Sequence, residues 1–497
     1  MLRSITKASC RRQFSASTMS SNKPVLFNVQ DTARVVSLNR PNKLNALNTE
    51  MTSLVFETLK EYAKSDSAHL IVVKSVNFPR SLCAGGDVAA VANFNKAGQY
   101  DQSIAFFQHE YSVNFQLATY GKPIVAFMDG ITMGGGVGLS IHNPFRVATE
   151  YTKLAMPEMD IGFFPDVAST FALPRLLTLC NENAQLALYL ILTGEVLTGE
   201  EAYLLGVASH YVPHESIEDL QNRLGELVAR DGRFNDESFY DTVNQAIDEF
   251  STPLPSGKQL LRYTVDQLRV IETCFDAYSL ASIQQLFESL ERVASDASKS
   301  EEARKFAQFV LQRLSTKSPT SMQVALRLVR ENCRDNLENA VKRDLYTAAN
   351  FALASQQGST LPVEFNEAVT HKLINKRRDP YFWRYKLGDL SPSQLTALVS
   401  PKPSVPISLL RNTRNITYKD YPRHHRYQLP KEQQIVEYAL GGGEQKPSTR
   451  RQVAEYFTNS YGPSKGKVGT DILVNLVLTK NCQEDPITGH LTPLNKS

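Results

Sequence analysis

The chain has 497 residues, of which 42% are hydrophobic and 21% are charged, a balance typical of a soluble globular protein with two or three domains. The net charge of +3 favours no class of partner, and no run of about 18 apolar residues predicts a membrane span. The six cysteines are scattered and form no Cys-x-x-Cys pair, so neither a disulfide framework nor a metal site is expected.

The N-terminal segment, residues 1–22, differs in composition from the rest of the chain. It contains Arg3, Lys7, Arg11 and Arg12 and many Ser and Thr residues, and the first acidic residue of the chain is Asp31. A basic, Ser-rich and acid-free N-terminus is typical of a mitochondrial transit peptide, and the alternative is a disordered tail without a targeting role. We expect import into the mitochondrial matrix.

Residues 23–214 show strands that alternate with helices. Residues 25–29 and 33–38 predict a β-hairpin, and short β-branched strands are predicted at residues 69–74 and 123–128. Asn48 is a suitable N-cap for a helix whose apolar residues recur at helical spacing. This alternation predicts an α/β fold.

Two further regions follow. Residues 215–400 are rich in helical patterns, and Ser318 followed by Pro319 predicts the start of one of these helices. A Pro-containing linker then leads into an extension, residues 401–497, and residues 402–497 carry 14 Lys or Arg and 8 Asp or Glu. Five of these basic residues form a stretch with interleaved aromatic side chains: Arg411, Arg414, Lys419, Arg423 and Arg426. Such a stretch indicates either RNA-backbone binding or a solvated interaction tail.

Two glycine-rich segments are the main candidates for chemistry. The first is residues 83–87, Cys-Ala-Gly-Gly-Asp, and the second is residues 130–138, which contain Gly134-Gly135-Gly136 directly after a predicted strand. Glycines let backbone N–H groups approach a ligand closely, and a strand-to-helix junction leaves N–H donors without partners. Neither segment has the spacing of a Walker A or dinucleotide-binding motif.

As an ordered set, these segments resemble the crotonase (enoyl-CoA hydratase/isomerase) superfamily. The resemblance is reinforced by residues 39–41, Asn-Arg-Pro, residues 44–47, Leu-Asn-Ala-Leu, and residues 155–158, Ala-Met-Pro-Glu. It implies a ClpP-like ββα spiral core, an acyl-CoA substrate and no separate cofactor, because CoA is part of the substrate. It also implies an oxyanion hole formed by the N–H groups of Ala84 and Gly135, which suits reactions of a thioester carbonyl.

The acidic residues indicate which reaction the resemblance favours. Hydratases of this superfamily carry a glutamate three residues beyond the middle glycine, where this chain has Gly138, so hydration and isomerisation are disfavoured alternatives. Residues 156–167 instead resemble the motif of the 3-hydroxyisobutyryl-CoA hydrolase branch, which acts in valine breakdown. The resemblance implies Glu158 and Asp166 as catalytic and substrate-binding acids, and Glu110 and Gly135 as further substrate contacts.

A non-enzymatic role remains a second hypothesis. Fungal relatives with this layout resemble a component of the small subunit of the mitochondrial ribosome, so binding to ribosomal RNA through residues 401–497 is an alternative to catalysis or an addition to it. The sequence leaves open whether the chain forms a homo-oligomer. His109 and His142 are assigned to packing or polar contacts, because no motif places a Ser or Cys nucleophile for them.

Overall fold

A computed structural model of the chain describes residues 23–256, 259–356, 358–402, 404–411, 416–442, 448–462 and 465–494. The predicted transit peptide, residues 1–22, lies outside these ranges. The strands, β1 to β12 in chain order, are Val25–Gln30, Ala33–Leu38, Leu70–Ser75, Ser81–Cys83, Ile124–Met128, Ile131–Met133, Phe145–Ala148, Lys153–Ala155, Leu197–Thr198, His210–Tyr211, Cys482–Glu484 and Leu491–Pro493.

The strands form two main sheets. The larger has the order β1-β2-β3-β5-β7-β10, and only the β1–β2 hairpin in it is antiparallel. The smaller has the order β4-β6-β8-β9 and is parallel except for the β8–β9 pair. This arrangement confirms the predicted α/β core and the predicted hairpin.

Helices surround the sheets and dominate the second half of the chain. They are numbered α1 to α19 in chain order: Thr49–Lys64, Val88–Lys96, Tyr100–Ala118, Gly135–Ile141, Ser169–Leu176, Gln185–Thr193, Gly199–Leu204, Ile217–Gly225, Glu237–Asp248, Val265–Cys274, Ile283–Ser295, Glu301–Leu314, Pro319–Arg334, Leu337–Leu353, Phe365–Val369, Pro392–Val399, Glu432–Ala439, Arg450–Asn459 and Thr470–Asn481. Two predicted caps are confirmed, because the side chains of Asn48 and Ser318 accept N–H bonds at the starts of α1 and α13. None of the described helices is long and apolar enough to cross a membrane.

The larger sheet is buried on both faces. Successive side chains of a strand point to opposite faces, so Leu70 and Val72 face one apolar cluster while Ile71 and Val73 face another. The smaller cluster is closed by α8 and α9, and the larger one joins the sheets to the helices of the second half. Residues 23–214 and the helices of the second half of the chain therefore share one core.

The extension packs into the same core, although its sequence predicts a separate segment. Fully or nearly fully buried side chains of the extension, among them Leu409, Tyr421, Ile435 and Leu473, belong to the larger cluster, and Tyr427 belongs to the smaller one. The predicted boundary near residue 401 therefore marks a change in sequence character and not a separately packed unit.

Basic residues of the extension contribute to this packing. Arg426 forms an ion pair with Asp241 at 2.9 Å, and Arg411 pairs with Glu338. The Arg423 guanidinium donates to the Asn235 carbonyl at 2.7 Å and lies over the ring of Tyr240. Arg414 lies outside the described residues, and Lys419 is exposed. Three of the five basic side chains that suggested RNA binding thus hold the extension against the core.

Candidate active site

The second glycine segment places the N-terminus of α4 at the carboxyl end of β6, an inner strand of the smaller sheet. Gly134 has φ +48 and ψ −117, a backbone conformation that residues with a Cβ rarely adopt. Gly135 is the first residue of α4, so its N–H has no acceptor within the helix. A Cβ on Gly136 would clash with the Cys83 carbonyl, which explains why this helix can lie directly against β4.

The first glycine segment lies next to Gly135, but its geometry differs from the prediction. The Ala84 N–H donates to the Leu44 carbonyl at 3.0 Å and is therefore not available to a ligand. The N–H of Gly86 has no acceptor among the described residues, and its nitrogen lies 3.2 Å from the point where a Cβ of Gly135 would stand. The available donor pair is Gly86 and Gly135, not Ala84 and Gly135.

Glu110 and Glu158 converge on the glycines of this junction. Glu110 projects from α3 and is 2% exposed; its Oε1 lies against Gly135, where a Cβ would clash with it. Glu158 follows β8 and is 6% exposed, and its Oε1 lies 3.0 Å from the Cβ position of Gly134. Among the described residues, neither Glu110 Oε1 nor Glu158 Oε2 has a hydrogen-bond partner. Two acids predicted from sequence are thus brought together beside the N–H pair.

Asp166 completes the cluster of acids. It is 6% exposed, and the Tyr111 hydroxyl donates to its Oδ2 at 2.8 Å. Burial raises the pKa of Asp166 to about 7, while the Tyr111 bond acts in the opposite direction. Burial also raises the pKa of Glu110 and of Glu158 well above the ordinary range, and the charge of Asp166 adds to both shifts. Burial therefore favours the protonated forms of Glu110 and Glu158 and brings the pKa of Asp166 close to neutral pH.

The raised pKa of Asp166 predicts how the stability of the folded protein changes with pH. An acid with a higher pKa in the folded chain binds more protons when folded, so its contribution is most favourable at low pH and is lost as pH rises through about 7. Asp166→Asn keeps an oxygen for Tyr111 but cannot ionise. At about pH 8 we expect the free energy of unfolding of the variant to exceed that of the wild type by at most about 4 kcal/mol, the value for a pKa raised by about three units. This gain in stability should shrink towards pH 5. Urea unfolding at both pH values measures this, and a gain independent of pH would contradict it.

The backbone that follows Asp166 is in an unusual conformation. Val167 and Ala168 have φ of 52 and 53, in the left-handed region that side chains with a Cβ rarely adopt. The Ala168 N–H donates to Asp344 Oδ2 at 2.7 Å. A Cβ on Gly138 would lie 2.7 Å from the Val167 Cβ, so this segment occupies the space that an acid at position 138 would need.

A cleft lies beside the first glycine segment, at Asp87. Its cavity has a volume of about 430 Å³ and is lined by residues that include Arg40, Asp87, Phe94 and Phe106. Arg40 and Asp87 form an ion pair at 2.8 Å, and the ring of Phe106 lies 2.9 Å from the Cβ position of Gly86. The cleft therefore lies next to the loop that carries the Gly86 donor.

Comparison with known proteins identifies the family to which this fold and these glycine loops belong. The family described as Enoyl-CoA hydratase/isomerase matches residues 33–399. The chain belongs to the enoyl-CoA hydratase/isomerase family. Within this crotonase family, a solved structure of a carnitinyl-CoA dehydratase from Mycobacterium thermoresistibile is 28% identical, with a TM-score of 0.60, and the match covers 77% of this chain and 98% of that one.

Two curated relatives carry different names. The small ribosomal subunit protein mS47 of Neurospora crassa is 36% identical over 478 residues, which are 94% of this chain and 87% of the relative. The mitochondrial 3-hydroxyisobutyryl-CoA hydrolase of Danio rerio is 35% identical over 374 residues, which are 75% of this chain and 88% of the relative. The chain is thus a crotonase-family protein with both hydrolase-named and ribosome-named relatives.

Sequence reasoning missed two polar residues of the site. Tyr111 follows the predicted Glu110 directly, but its contact with Asp166 depends on how α3 packs against the Asp166 segment. Asp344 lies on α14, 176 positions from its partner Ala168, and burial raises its pKa well above the ordinary range. No local pattern marks either residue, because both are placed by contacts between distant elements.

Proposed function

We propose that the protein hydrolyses the thioester of a small β-hydroxyacyl-CoA, with 3-hydroxyisobutyryl-CoA as the substrate, giving 3-hydroxyisobutyrate and CoA. The observation that carries this proposal is that Glu110 and Glu158 lie against the glycines that carry the paired N–H groups of Gly86 and Gly135, with Asp166 close enough for its charge to raise the pKa of both glutamates. The space of a hydratase acid at position 138 is filled by Val167, which argues against addition of water to a double bond. The name of the Danio rerio relative supports the same substrate.

We propose a role for each group in this reaction. The N–H groups of Gly86 and Gly135 bind the thioester oxygen, and each such donor is worth about 3–4 kcal/mol to the developing oxyanion. In its ionised form Glu158, beside Gly134, either attacks the carbonyl carbon or removes a proton from the attacking water. In the first route the Glu158 carboxylate replaces the CoA thiolate and forms an acyl-enzyme anhydride, which water then hydrolyses to release the acid and restore Glu158. In the second route the activated water replaces the thiolate directly. In both routes the carbon–sulfur bond breaks and the CoA thiolate takes a proton from the acid cluster.

Asp166 and Glu110 act on the acyl group. Asp166, fixed by the Tyr111 hydroxyl at 2.8 Å, accepts the hydrogen bond of the substrate 3-hydroxyl or shares its proton with Glu158. Glu110, which lies against Gly135, orients the acyl chain. The reaction proposed here uses no metal and no cofactor beyond the CoA of the substrate. The mitochondrial name of the Danio rerio relative supports a mitochondrial location, for which we propose the matrix.

A pair of substrates tests the proposed recognition of the hydroxyl group. We expect release of free thiol from 3-hydroxyisobutyryl-CoA to be faster in kcat/KM than release from isobutyryl-CoA by about 10–100-fold, because a buried acid left without its partner is costly. A thiol reagent follows both reactions. Equal kcat/KM values for the two substrates would show that Asp166 does not recognise the substrate hydroxyl. Absence of thiol release from both substrates would refute the hydrolase proposal.

A second candidate function is association with the small subunit of the mitochondrial ribosome. The match to the Neurospora crassa ribosomal protein spans 94% of the chain and so includes most of the extension. Several basic side chains of the extension are engaged with the core, and Lys419 remains exposed beside them. We therefore propose ribosome binding as a role that coexists with catalysis and uses the outer surface of the extension.

Sedimentation tests this second role. If Lys and Arg side chains contact RNA phosphates, the fraction of protein that sediments with mitochondrial ribosomal particles should fall at least about tenfold between roughly 50 and 200 mM salt. A lysate treated with ribonuclease is the control. The protein remaining in the soluble fraction at low salt would refute the association.

A further inference from the structure

His142, for which the proposed reaction has no chemical role, connects the extension to the active site. It lies directly after α4, is fully buried, and has hydrogen-bond partners at both ring nitrogens. Nε2 lies 2.7 Å from the carbonyl oxygen of Val167. Nδ1 lies 2.7 Å from the hydroxyl of Tyr421, which belongs to the extension. The ring therefore bridges the extension and the residue that follows Asp166.

The chemistry of the partners fixes the direction of both hydrogen bonds. A carbonyl oxygen only accepts, so Nε2 carries the hydrogen and Nδ1 accepts from the Tyr421 hydroxyl. Burial lowers the pKa of His142 to about 4, and the charge of Arg146 acts in the same direction, so the ring is neutral at working pH. The ring of His424 stacks on Tyr421 at 3.9 Å, and burial lowers its pKa as well. The Val167 carbonyl thus fixes the tautomer of His142, and the Tyr421 hydroxyl donates to the remaining ring nitrogen and holds the ring in place.

The backbone at Val167 is in an unfavourable conformation, so its hydrogen bond to His142 helps to hold it. Val167 and Ala168 are both in the left-handed region, which is unfavourable for residues with a Cβ and persists only where surrounding groups hold it. His142 holds the carbonyl on one side, and Asp344 holds the Ala168 N–H on the other. Because Asp166 directly precedes this segment, its carboxylate position depends on both contacts.

We propose that Tyr421 is a positioning residue of the active site: through His142 it holds the Val167 backbone and thereby places Asp166 for substrate recognition. The catalytic part of this inference rests on the proposed hydrolase function. It makes the extension a component of the catalytic unit, in which residues more than 250 positions apart act on one another. Tyr418 offers a matched control, because its hydroxyl also joins the extension to the core, with a 2.6 Å bond to the Ala118 carbonyl.

The experiment compares Tyr421→Phe with Tyr418→Phe, each of which removes one hydroxyl that joins the extension to the core. In Tyr421→Phe we expect kcat/KM for 3-hydroxyisobutyryl-CoA to fall about tenfold while that for isobutyryl-CoA changes little, so the preference for the hydroxylated substrate is lost. Tyr418→Phe should keep the wild-type preference, although it also removes a hydrogen bond. Equal substrate preference in the two variants would overturn the inference.

A second measurement does not depend on activity. Asp166→Asn is combined with each Phe substitution, and urea midpoints are compared with those of the single variants. We expect the shifts to be non-additive for the Tyr421 pair and additive for the Tyr418 pair, and additivity in both pairs would overturn the inference. If the wild type releases no thiol, the proposed function fails, and this cycle alone decides whether Tyr421 is coupled to Asp166.

Discussion

Glu158→Gln is expected to lower kcat for thioester hydrolysis by at least about 10²-fold, the loss typical when a general base is removed. The substitution keeps the shape of the side chain beside Gly134 and removes its ability to ionise. Loss of a nucleophile would give an equal or larger effect, so the expected direction is the same for direct attack and for activation of water. Initial rates of thiol release at saturating substrate measure the change.

Glu195→Gln is the matched control for this variant. Glu195 is also a buried glutamate of the crotonase core, and its Oε2 accepts hydrogen bonds from Tyr189 at 2.6 Å and Tyr263 at 2.7 Å, which a glutamine oxygen can still accept. It should leave kcat within about twofold of the wild type, since no step of the reaction uses it. A folded Glu158→Gln protein with near-normal turnover would show that another group performs the reaction.

Truncation after residue 401 is expected to prevent the chain from folding into a soluble, cooperatively unfolding protein. It removes large buried side chains from both apolar clusters, including Leu409, Tyr421, Tyr427 and Leu473. Burial of one such side chain contributes about 1.5–3 kcal/mol, and a domain has only about 5–15 kcal/mol of net stability. Expression of the truncated chain, followed by gel filtration and thermal unfolding, measures the outcome.

Deleting residues 2–22 provides the control, because this predicted transit peptide lies outside the described fold. We expect that deletion to leave the unfolding transition and the thioesterase rate unchanged. A soluble protein that ends at residue 401 and retains full activity would show that the extension is a separate unit, as its sequence suggests.

Local signals account for what the sequence predicts well. The β1–β2 hairpin and the Asn48 and Ser318 caps depend on residues within a few positions of one another. Glu158 and Asp166 lie within one contiguous motif, and the structure brings both into the cluster beside Gly134 and Gly135. Their catalytic roles stay predictions.

Contacts between distant segments account for what the sequence misses. The choice between Ala84 and Gly86 depends on residues 44–47, because Leu44 accepts the Ala84 N–H and Leu47 accepts that of Asp87. The burial of the extension has a similar origin. Its basic residues are paired with acids of α9 and α14, which no pattern in residues 401–497 can reveal.

We propose that this crotonase-family site cleaves a thioester and does not hydrate a double bond. The most direct measurement offers the purified protein 3-hydroxyisobutyryl-CoA and crotonyl-CoA separately, with a chelator present, and records both free thiol and the absorbance of the enoyl thioester. We predict thiol release from 3-hydroxyisobutyryl-CoA and no loss of the crotonyl double bond, because Val167 fills the space of the second hydratase acid. Hydration of crotonyl-CoA without thiol release from either substrate would contradict the proposed hydrolase function.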